Sequence, residues 1–260
     1  MTDDTKNEVQ LWKPDPFSGT DLLPLDYATQ KVDLTGREHI DASDLILPRL
    51  KLLQATSDEC MDEDTPDAKP GKLFHSGAKE VFDPPIRTLF VAHTKSRGMF
   101  PKEDNPRFQG LSRCISRDGI TGDTYGDCSE CAYLKWGDRN EPPLCSDSHN
   151  FTALTPFGPA IVRFSRTSYK TARELLTTWH MSPKPLFCHP VQLGVRRDTK
   201  EIQGKNVTFF KLEVKWLQRE TVPPLVQDAA RALQERISTA HEQGKFGGDD
   251  EEKSFDDFDL

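Results

Sequence analysis

The sequence predicts a mainly β domain, a small twisted barrel that carries two helices and a cysteine-rich insertion. Several short segments of the 260-residue chain alternate apolar and polar residues or are rich in β-branched and aromatic residues, as half-buried strands are. Two longer segments repeat their apolar residues every three or four positions, which is typical of amphipathic helices. The hydrophobic fraction is only 35%, so we expect part of the length to lie outside the core.

The first half of the predicted barrel is marked by two apolar runs. Residues 45–54 are the first plausible core element and are expected to enter the domain as a strand. An acidic loop follows, and Pro70 with Gly71 marks a turn. Residues 86–93 form a short run of β-forming residues and are predicted as the next strand. Residues 1–44 are polar and interrupted by prolines, so we expect an extended N-terminal arm.

The second half of the barrel is predicted from three alternating segments, residues 159–165, 186–196 and 206–217. Apolar side chains recur there at every second position, so one face of each strand should be buried. The side chains expected to face the core are Ala160, Val162, Phe164, Phe187, Val191, Leu193, Val195, Phe210, Leu212, Val214 and Trp216. About five short strands with a middle and a final helix suggest a barrel of the oligonucleotide/oligosaccharide-binding (OB) type.

The two helices are predicted at residues 168–180 and 222–243. The first should bury Tyr169, Ala172, Leu176 and Trp179, and the second should bury Leu225, Ala229, Leu233 and Ile237. The resulting domain plan is an arm at 1–44, an OB-like nucleic-acid-binding domain at 45–220 with a zinc module at 112–147, a C-terminal helix at 221–244 and a disordered acidic tail at 245–260.

Charge is segregated along the chain. Residues 1–70 contain seven basic and sixteen acidic residues, and residues 249–260 contain one lysine and seven acids. Residues 71–248 contain twenty-six basic and nineteen acidic residues, a net charge of +7. A basic body between acidic ends favours a protein that binds a polyanion and whose ends compete for the same face. The alternative is an ordinary solvated surface.

The acidic tail cannot bury enough apolar surface to offset the entropy of its own ordering, so it should be disordered alone. Two phenylalanines stand among its acids, which favours anchors for a partner's basic, hydrophobic pocket over a tail that only aids solubility. The residues expected to bind this partner are Phe255, Asp256, Asp257, Phe258, Asp259 and Leu260.

Four of the six cysteines have metal-ligand spacing, C-x13-C-x2-C-x13-C, at Cys114, Cys128, Cys131 and Cys145. The central pair can bind one ion from a tight turn, and the outer pair can complete a tetrahedron. The intervening sequence is poor in apolar residues, so a bound metal would supply its folding energy. Structural Zn²⁺ is predicted, because four thiolates leave no coordination position open to water. An iron–sulfur cluster, unligated or redox-active thiols, and replacement of one thiolate by His149 are the alternatives.

The sequence lacks the common catalytic and targeting motifs. There is no GxxxxGK[ST] and no GxSxG, and the seven histidines form no HExxH, so a non-enzymatic role is expected. No apolar run approaches 18 residues, and the N-terminus has no signal-peptide pattern. We therefore expect a cytoplasmic protein without a membrane partner.

Binding of single strands requires a basic groove for phosphates and aromatic faces for bases. The polar faces of the predicted strands, the start of the middle helix and the neighbour of the first cysteine offer such side chains. The candidate nucleic-acid-binding residues are Arg113, Arg163, Arg166, Tyr169, Lys170, Arg196, Phe209, Lys211 and Lys215. For each the alternative is a solvated side chain, and for Tyr169 and Trp216 the apolar face favours the core.

This layout resembles the single-stranded DNA-binding proteins of phage replication systems. The strand set within residues 71–217, the four-cysteine module, and the tail with Phe255 and Phe258 carry the resemblance. It implies an OB-type barrel with a zinc-binding insertion that coats single-stranded DNA in the host cytoplasm. It also implies replication or recombination partners recruited by the tail, which would occupy the basic groove until DNA displaces it.

Three other functions fit parts of the sequence. A zinc-ribbon adaptor that modulates a polymerase or transcription complex would use the same cysteines and would not bind oligo-dT. A strand-annealing recombination accessory protein would pair complementary strands. A metal-dependent nuclease would degrade single strands when magnesium is present.

Overall fold

The structure is a computed structural model that describes residues 10–11, 47–101, 105–137, 141–156, 158–202, 205–217 and 220–242. The strands before the insertion are β1 (Gln10–Leu11), β2 (Arg49–Leu52), β3 (Leu73–His75), β4 (Glu80–Phe82) and β5 (Ile86–Met99). Those from the insertion onward are β6 (Cys114–Ser116), β7 (Thr121–Gly122), β8 (Gly126–Asp127), β9 (Ser146–Thr155), β10 (Gly158–Ser165), β11 (Val191–Ile202), β12 (Lys205–Trp216) and β13 (Glu220–Thr221). The helices are α1 (Tyr169–His180) and α2 (Pro224–Glu242).

Nine of these strands form one sheet that curls into a half-barrel. Their order is β12-β11-β5-β9-β10-β2-β3-β4, and β6 pairs with the far end of β5. All neighbours are antiparallel except β10 and β2, where Ile161 lies opposite Arg49 in a parallel pair. The mainly β prediction is therefore confirmed, although the sheet has more strands than the five or so that were expected.

One edge strand of the curled sheet, β12, meets the residues at the end of β2 along a seam. The Gln54 side chain donates to the Phe210 carbonyl over 2.8 Å and accepts from the Phe210 N–H over 3.0 Å. Beside it, the Leu212 N–H donates to Ser168 Oγ, and Thr171 Oγ1 donates to the Leu212 carbonyl, each over 3.0 Å. The backbone groups on the outer edge of β12 have no neighbouring strand there, and side chains supply their hydrogen bonds instead.

The main core fills the concave side of this sheet. Phe90, Phe151 and Phe164 are fully buried, and their rings contact each other at centroid distances of 4.8 to 6.3 Å. Helix α1 closes over them with Ala172 and Leu175. The alternation predicted for β10 and β12 is confirmed, because the core includes Ala160, Val162, Phe164 and Leu212, with Phe210, Val214 and Trp216 packed against it.

A smaller cluster lies on the opposite side of the sheet, where α2 packs. Val226 and Ala230 of α2 contact a cluster that includes Leu89, Val91 and Leu154. Of the predicted stripe, Ile237 is buried and Leu233 packs against this cluster, whereas Ala229 is only half-buried and its neighbour Ala230 is fully buried. The helix has 3.6 residues per turn, so its inward positions follow spacings of four, three and four from Val226 and not a strict spacing of four.

Two further differences concern strands. The sequence did not predict β9, the central strand, because its first half, Ser-Asp-Ser-His-Asn, is polar. Residues 186–188 form a short 3₁₀ helix, and the strand predicted there begins later, at Val191. Phe187 is buried as expected, but in the cluster beneath α2.

The ends of the chain are described only in part. Gln10 and Leu11 pair in parallel with Glu220 and Thr221, so this piece of the predicted arm lies against the body. The tail, residues 245–260, with its predicted partner-binding residues, lies outside the described residues. No helix in the described ranges is long and apolar enough to span a membrane.

Candidate nucleic-acid interface and cysteine module

A basic groove runs along the seam, and we call it the seam groove. Its charged lining consists of Arg49, Lys51, Arg163 and Arg166, together with hydroxyl groups and the Phe210 ring; the hydroxyl residues are Ser146, Ser165, Thr167 and Ser168. Among the described residues that line it, none carries a carboxylate. Four cationic side chains gathered along one surface are suited to contacts with phosphate groups.

Arg166 has an unusual backbone at the end of this groove. Its φ is 45°, in the left-handed region, and the only other non-glycine residue with a positive φ in the described ranges is Lys79. Such a conformation costs about 1–3 kcal/mol in a residue with a side chain. Arg166 begins the short 3₁₀ helix that leads into α1, so this backbone holds the guanidinium at the junction of strand and helix.

A second groove lies between the start of α1 and the β11–β12 hairpin, and we call it the hairpin groove. Its cations are Lys170, Arg196, Lys211 and Lys215. Arg196 and Lys211 lie directly opposite each other in the antiparallel pair, so they point to the same face. Thr167 lines both grooves, which makes the two surfaces continuous around residues 166–171.

Carboxylates neutralise part of the hairpin groove. Arg196 Nε lies 3.0 Å from Glu213 Oε1, and Lys211 Nζ lies 2.7 Å from Asp198 Oδ2. Lys170 has a looser pair with Glu174 at 3.8 Å. Lys215 is exposed and has no ion pair within the described part of the chain. Three of the four cations of the hairpin groove therefore have a carboxylate partner within 4 Å.

Six of the nine sequence-predicted nucleic-acid-binding residues line these grooves: Arg163, Arg166, Lys170, Arg196, Lys211 and Lys215. Phe209 lies on the same hairpin face, opposite Asp198. Arg113 lies apart, in the cysteine module, with its guanidinium 6.0 Å from the Phe100 ring. Sequence reasoning missed Arg49 and Lys51, although they alternate with Leu50 and Leu52 and could have been recognised from that pattern.

Tyr169, the remaining predicted residue, belongs to a polar network at one end of the core. Its hydroxyl donates to Asp147 Oδ2 over 3.3 Å, and its ring stacks on His149 with 4.7 Å between centroids. Asp147 also accepts from Arg97 Nε over 2.7 Å and pairs with Lys95 at 3.3 Å. These cations and hydrogen bonds outweigh burial and lower the pKa of Asp147. The expectation that Tyr169 joins the apolar core is therefore met only in part.

Two histidines extend this network into the core. His93 Nε2 lies 2.9 Å from His149 Nδ1, so one ring donates to the other. Burial, followed by the neighbouring His149 and Lys95, lowers the pKa of His93 to about 4. Burial and Lys95 also lower the pKa of His149. Both rings are therefore neutral at pH 7.

The four predicted metal ligands line one cavity. Cys114, Cys128, Cys131 and Cys145 all contribute to it, together with Arg97, whose side chain also hydrogen-bonds to Cys128. Cys114 Sγ lies close to the backbone of Gly122, and this approach requires a glycine because a Cβ at this position would lie 2.6 Å from the sulfur. The loops therefore bring to one cavity four cysteines that follow one another in sequence at intervals of 14, 3 and 14 positions.

The chemistry of this donor set fits a structural zinc ion. Burial, with the other three thiols and Asp147 nearby, raises the pKa of the Cys145 thiol to about 12. Four thiolates so close together repel each other, and a divalent cation removes that repulsion. In the described residues, however, no three candidate ligands are drawn into a recognisable metal-binding arrangement.

Comparison with known proteins gives one family match. A family model described as "Pam3 phage gp34-like protein" matches residues 18–241. No curated protein and no solved structure matches the chain significantly. The matched range covers both grooves, the cysteine module and most of α2.

Proposed function

Because the chain belongs to the Pam3 phage gp34-like family, we propose that it is a phage protein that binds single-stranded DNA along the seam groove and the hairpin groove. The observation that carries the proposal is the seam groove, along which Arg49, Lys51, Arg163 and Arg166 gather beside hydroxyl groups and the Phe210 ring. Phosphates bind such surfaces with little regard to sequence, and binding weakens as salt rises.

The shape of the surface supports a strand more than a small anion. The two grooves meet at Thr167 and lie on either side of residues 166–171, so a flexible chain of phosphates could contact both. Phe210 and Phe209 offer aromatic faces beside the cations, and base stacking on such rings is worth about 1–3 kcal/mol per base. Coating of single strands in replication or recombination is the role that we propose for this surface.

The curled sheet supports a further part of the proposal, that the domain is OB-like. OB barrels bind oligonucleotides on a strand face flanked by loops. The nine-stranded sheet here is larger than their five strands, but its binding surface likewise combines a hairpin and a strand edge.

The test is binding of fluorescent oligo-dT to the full chain across a salt titration. The double variant Arg166→Gln with Lys215→Gln removes one exposed cation from each groove. It should weaken binding and reduce the log–log salt slope by about 0.7 for each lost phosphate contact. The matched control, Lys79→Gln with Lys184→Gln, removes the same charge outside both grooves and should bind like the wild type.

Other outcomes assign other functions. Equal weakening by both double variants would show that only overall charge matters and would overturn the assignment of the grooves. A protein that does not bind oligo-dT would favour the adaptor role, and faster pairing of complementary strands would favour the annealing role. Loss of oligonucleotide length in the presence of magnesium would indicate a nuclease.

Two accessory parts belong to this proposal. We assign a structural zinc to Cys114, Cys128, Cys131 and Cys145, supported by their shared cavity. The tail is proposed to compete with DNA for the basic surface and to offer Phe255 and Phe258 to replication or recombination proteins. Removal of residues 249–260 should therefore tighten oligo-dT binding at low salt and abolish recruitment of those partners.

A further inference from the structure

One cation of the seam groove is held by an acidic loop of the same domain. Lys51 Nζ lies 2.8 Å from Glu59 Oε1, and the two side chains are 26% and 13% exposed. Glu59 does not itself line the groove. Its carboxylate therefore neutralises Lys51 from outside the surface on which a DNA phosphate would lie.

The acidic loop that carries Glu59 is fixed to the fold. Cys60 packs against the small cluster of Leu53, Ala68 and Phe74. Thr65 Oγ1 donates to the Glu59 carbonyl over 2.7 Å, which closes the loop on itself. The position of the Glu59 carboxylate beside Lys51 is thus set by the fold, whereas Glu63 in the same loop is exposed.

The ion pair is incompletely satisfied on its acidic side. Glu59 Oε2 is buried and has no hydrogen-bond partner within the described residues. A buried carboxylate oxygen without a partner weakens the net stabilisation of the pair, because its lost hydration is not replaced. Transfer of Lys51 to another anion would leave Glu59 able to turn toward water and recover that hydration.

We propose that Glu59 is a built-in competitor that holds Lys51 until a DNA phosphate replaces it. The inference rests on the proposed function of the seam groove and names a regulation of that groove. A strand that binds must break the Lys51–Glu59 pair, so Glu59 lowers the affinity for short or weakly held single strands. It also flattens the salt dependence, because the released carboxylate takes up a cation while the DNA releases one.

The experiment compares two substitutions of the same charge in the same loop. Glu59→Gln should tighten oligo-dT binding about threefold to tenfold at 50 mM salt and steepen the log–log salt slope by up to about 0.7. Glu63→Gln removes an equal charge without touching Lys51, so it should change the affinity less than about twofold. In a Lys51→Gln background, Glu59→Gln should have no further effect on binding.

A second readout follows the loop directly. Addition of oligo-dT to the wild type should speed amide exchange in residues 57–61, because the contact that holds Glu59 is lost. Equal tightening by Glu59→Gln and Glu63→Gln would overturn the proposal in favour of a general field from the loop. If Glu59→Gln leaves the affinity for oligo-dT unchanged while the groove variants weaken oligo-dT binding, this proposal is overturned and the proposed function is not. Absence of oligo-dT binding at any salt overturns it together with the proposed function.

Discussion

Arg166 combines a strained backbone with a position where both grooves meet. Its φ of 45° is a conformation that glycine adopts readily and other residues do not. Strain of this kind persists where the surrounding structure imposes it, and it is found most often at functional sites. In this account the strain positions a guanidinium for phosphate, at the expense of stability.

Arg166→Gly should therefore separate stability from binding. The variant should raise the free energy of unfolding by up to about 1 kcal/mol, because glycine relieves the strained φ, and it should weaken oligo-dT binding. Denaturant unfolding and fluorescence anisotropy measure the two effects. Lys79→Gly, at the other positive φ, should stabilise the fold and leave binding unchanged. A loss of binding in both variants would contradict the role given to Arg166.

The histidine pair predicts a dependence of stability on pH. Burial lowers the pKa of His93 in the folded chain to about 4 from its ordinary value of 6.5, so the unfolded chain takes up the proton first as the pH falls. The contribution of neutral His93 to the free energy of unfolding should be fully present above pH 6.5 and should be lost progressively between pH 6.5 and 4. His93→Gln should show a smaller loss over this window in thermal unfolding, and the remaining loss is expected from His149, whose pKa burial also lowers. An identical loss in both proteins would contradict the lowered pKa.

At the scale of elements, the seam is the feature on which the half-barrel depends. Gln54 is buried, and its side-chain amide makes two hydrogen bonds to the backbone of Phe210. The Gln54 amide makes the two hydrogen bonds that a neighbouring strand would otherwise make with Phe210. It thereby connects the end of β2 to Phe210, which lines the seam groove. The proposed binding surface and the seam of the sheet thus share the same residues.

Gln54→Met should open this seam, because methionine fills a similar volume but cannot bond to the Phe210 backbone. We expect a loss of about 1–3 kcal/mol in the free energy of unfolding, since buried polar groups lose their partners. Amide exchange at Phe210 should also accelerate, as measured by hydrogen–deuterium exchange. Gln109→Met, at an exposed site, is the control. Slow exchange at Phe210 in the variant would show that the seam does not depend on Gln54.

The predictability of each element from the sequence follows from where its side chains lie. The alternation in β10 and β12 and the stripe of α1 were predicted because one face of each meets the core. β9 was not predicted, because Ser146 to Asn150 form a polar network with neighbouring strands that no local pattern reveals. The candidate grooves depend on strand register and on the seam, which join residues more than 150 positions apart, such as Gln54 and Phe210.

At the scale of the whole molecule, the cysteine module is attached to the half-barrel through β5 and β9. β6 carries Cys114 and pairs with the end of β5, and Cys145 directly precedes β9. Arg97 of β5 links Cys128 to Asp147, and Asp147 bonds to Tyr169 at the start of α1. Folding of the module should therefore influence the end of the barrel where α1 begins.

Metal removal tests the proposed zinc site. The purified chain should contain about one zinc ion, and a strong chelator should lower the melting temperature, because metal binding supplies folding free energy. Cys131→Ser should lose the metal, and Gly122→Ala should weaken its binding, since the added Cβ would lie 2.6 Å from Cys114 Sγ. Cys188→Ser, outside the module, should retain the metal. Bound iron together with absorption in the visible range would indicate an iron–sulfur cluster. If the chain contains no metal and chelator leaves its melting temperature unchanged, both the zinc site and the cluster are contradicted.

The central claim is that the seam groove and the hairpin groove together bind single-stranded DNA. Hydrogen–deuterium exchange of the full chain with and without saturating oligo-dT tests it most directly. We expect slower exchange in residues 49–52, 163–171 and 192–215, with no change in residues 224–242 of α2. Unchanged exchange throughout, or protection confined to residues 114–145, would contradict it.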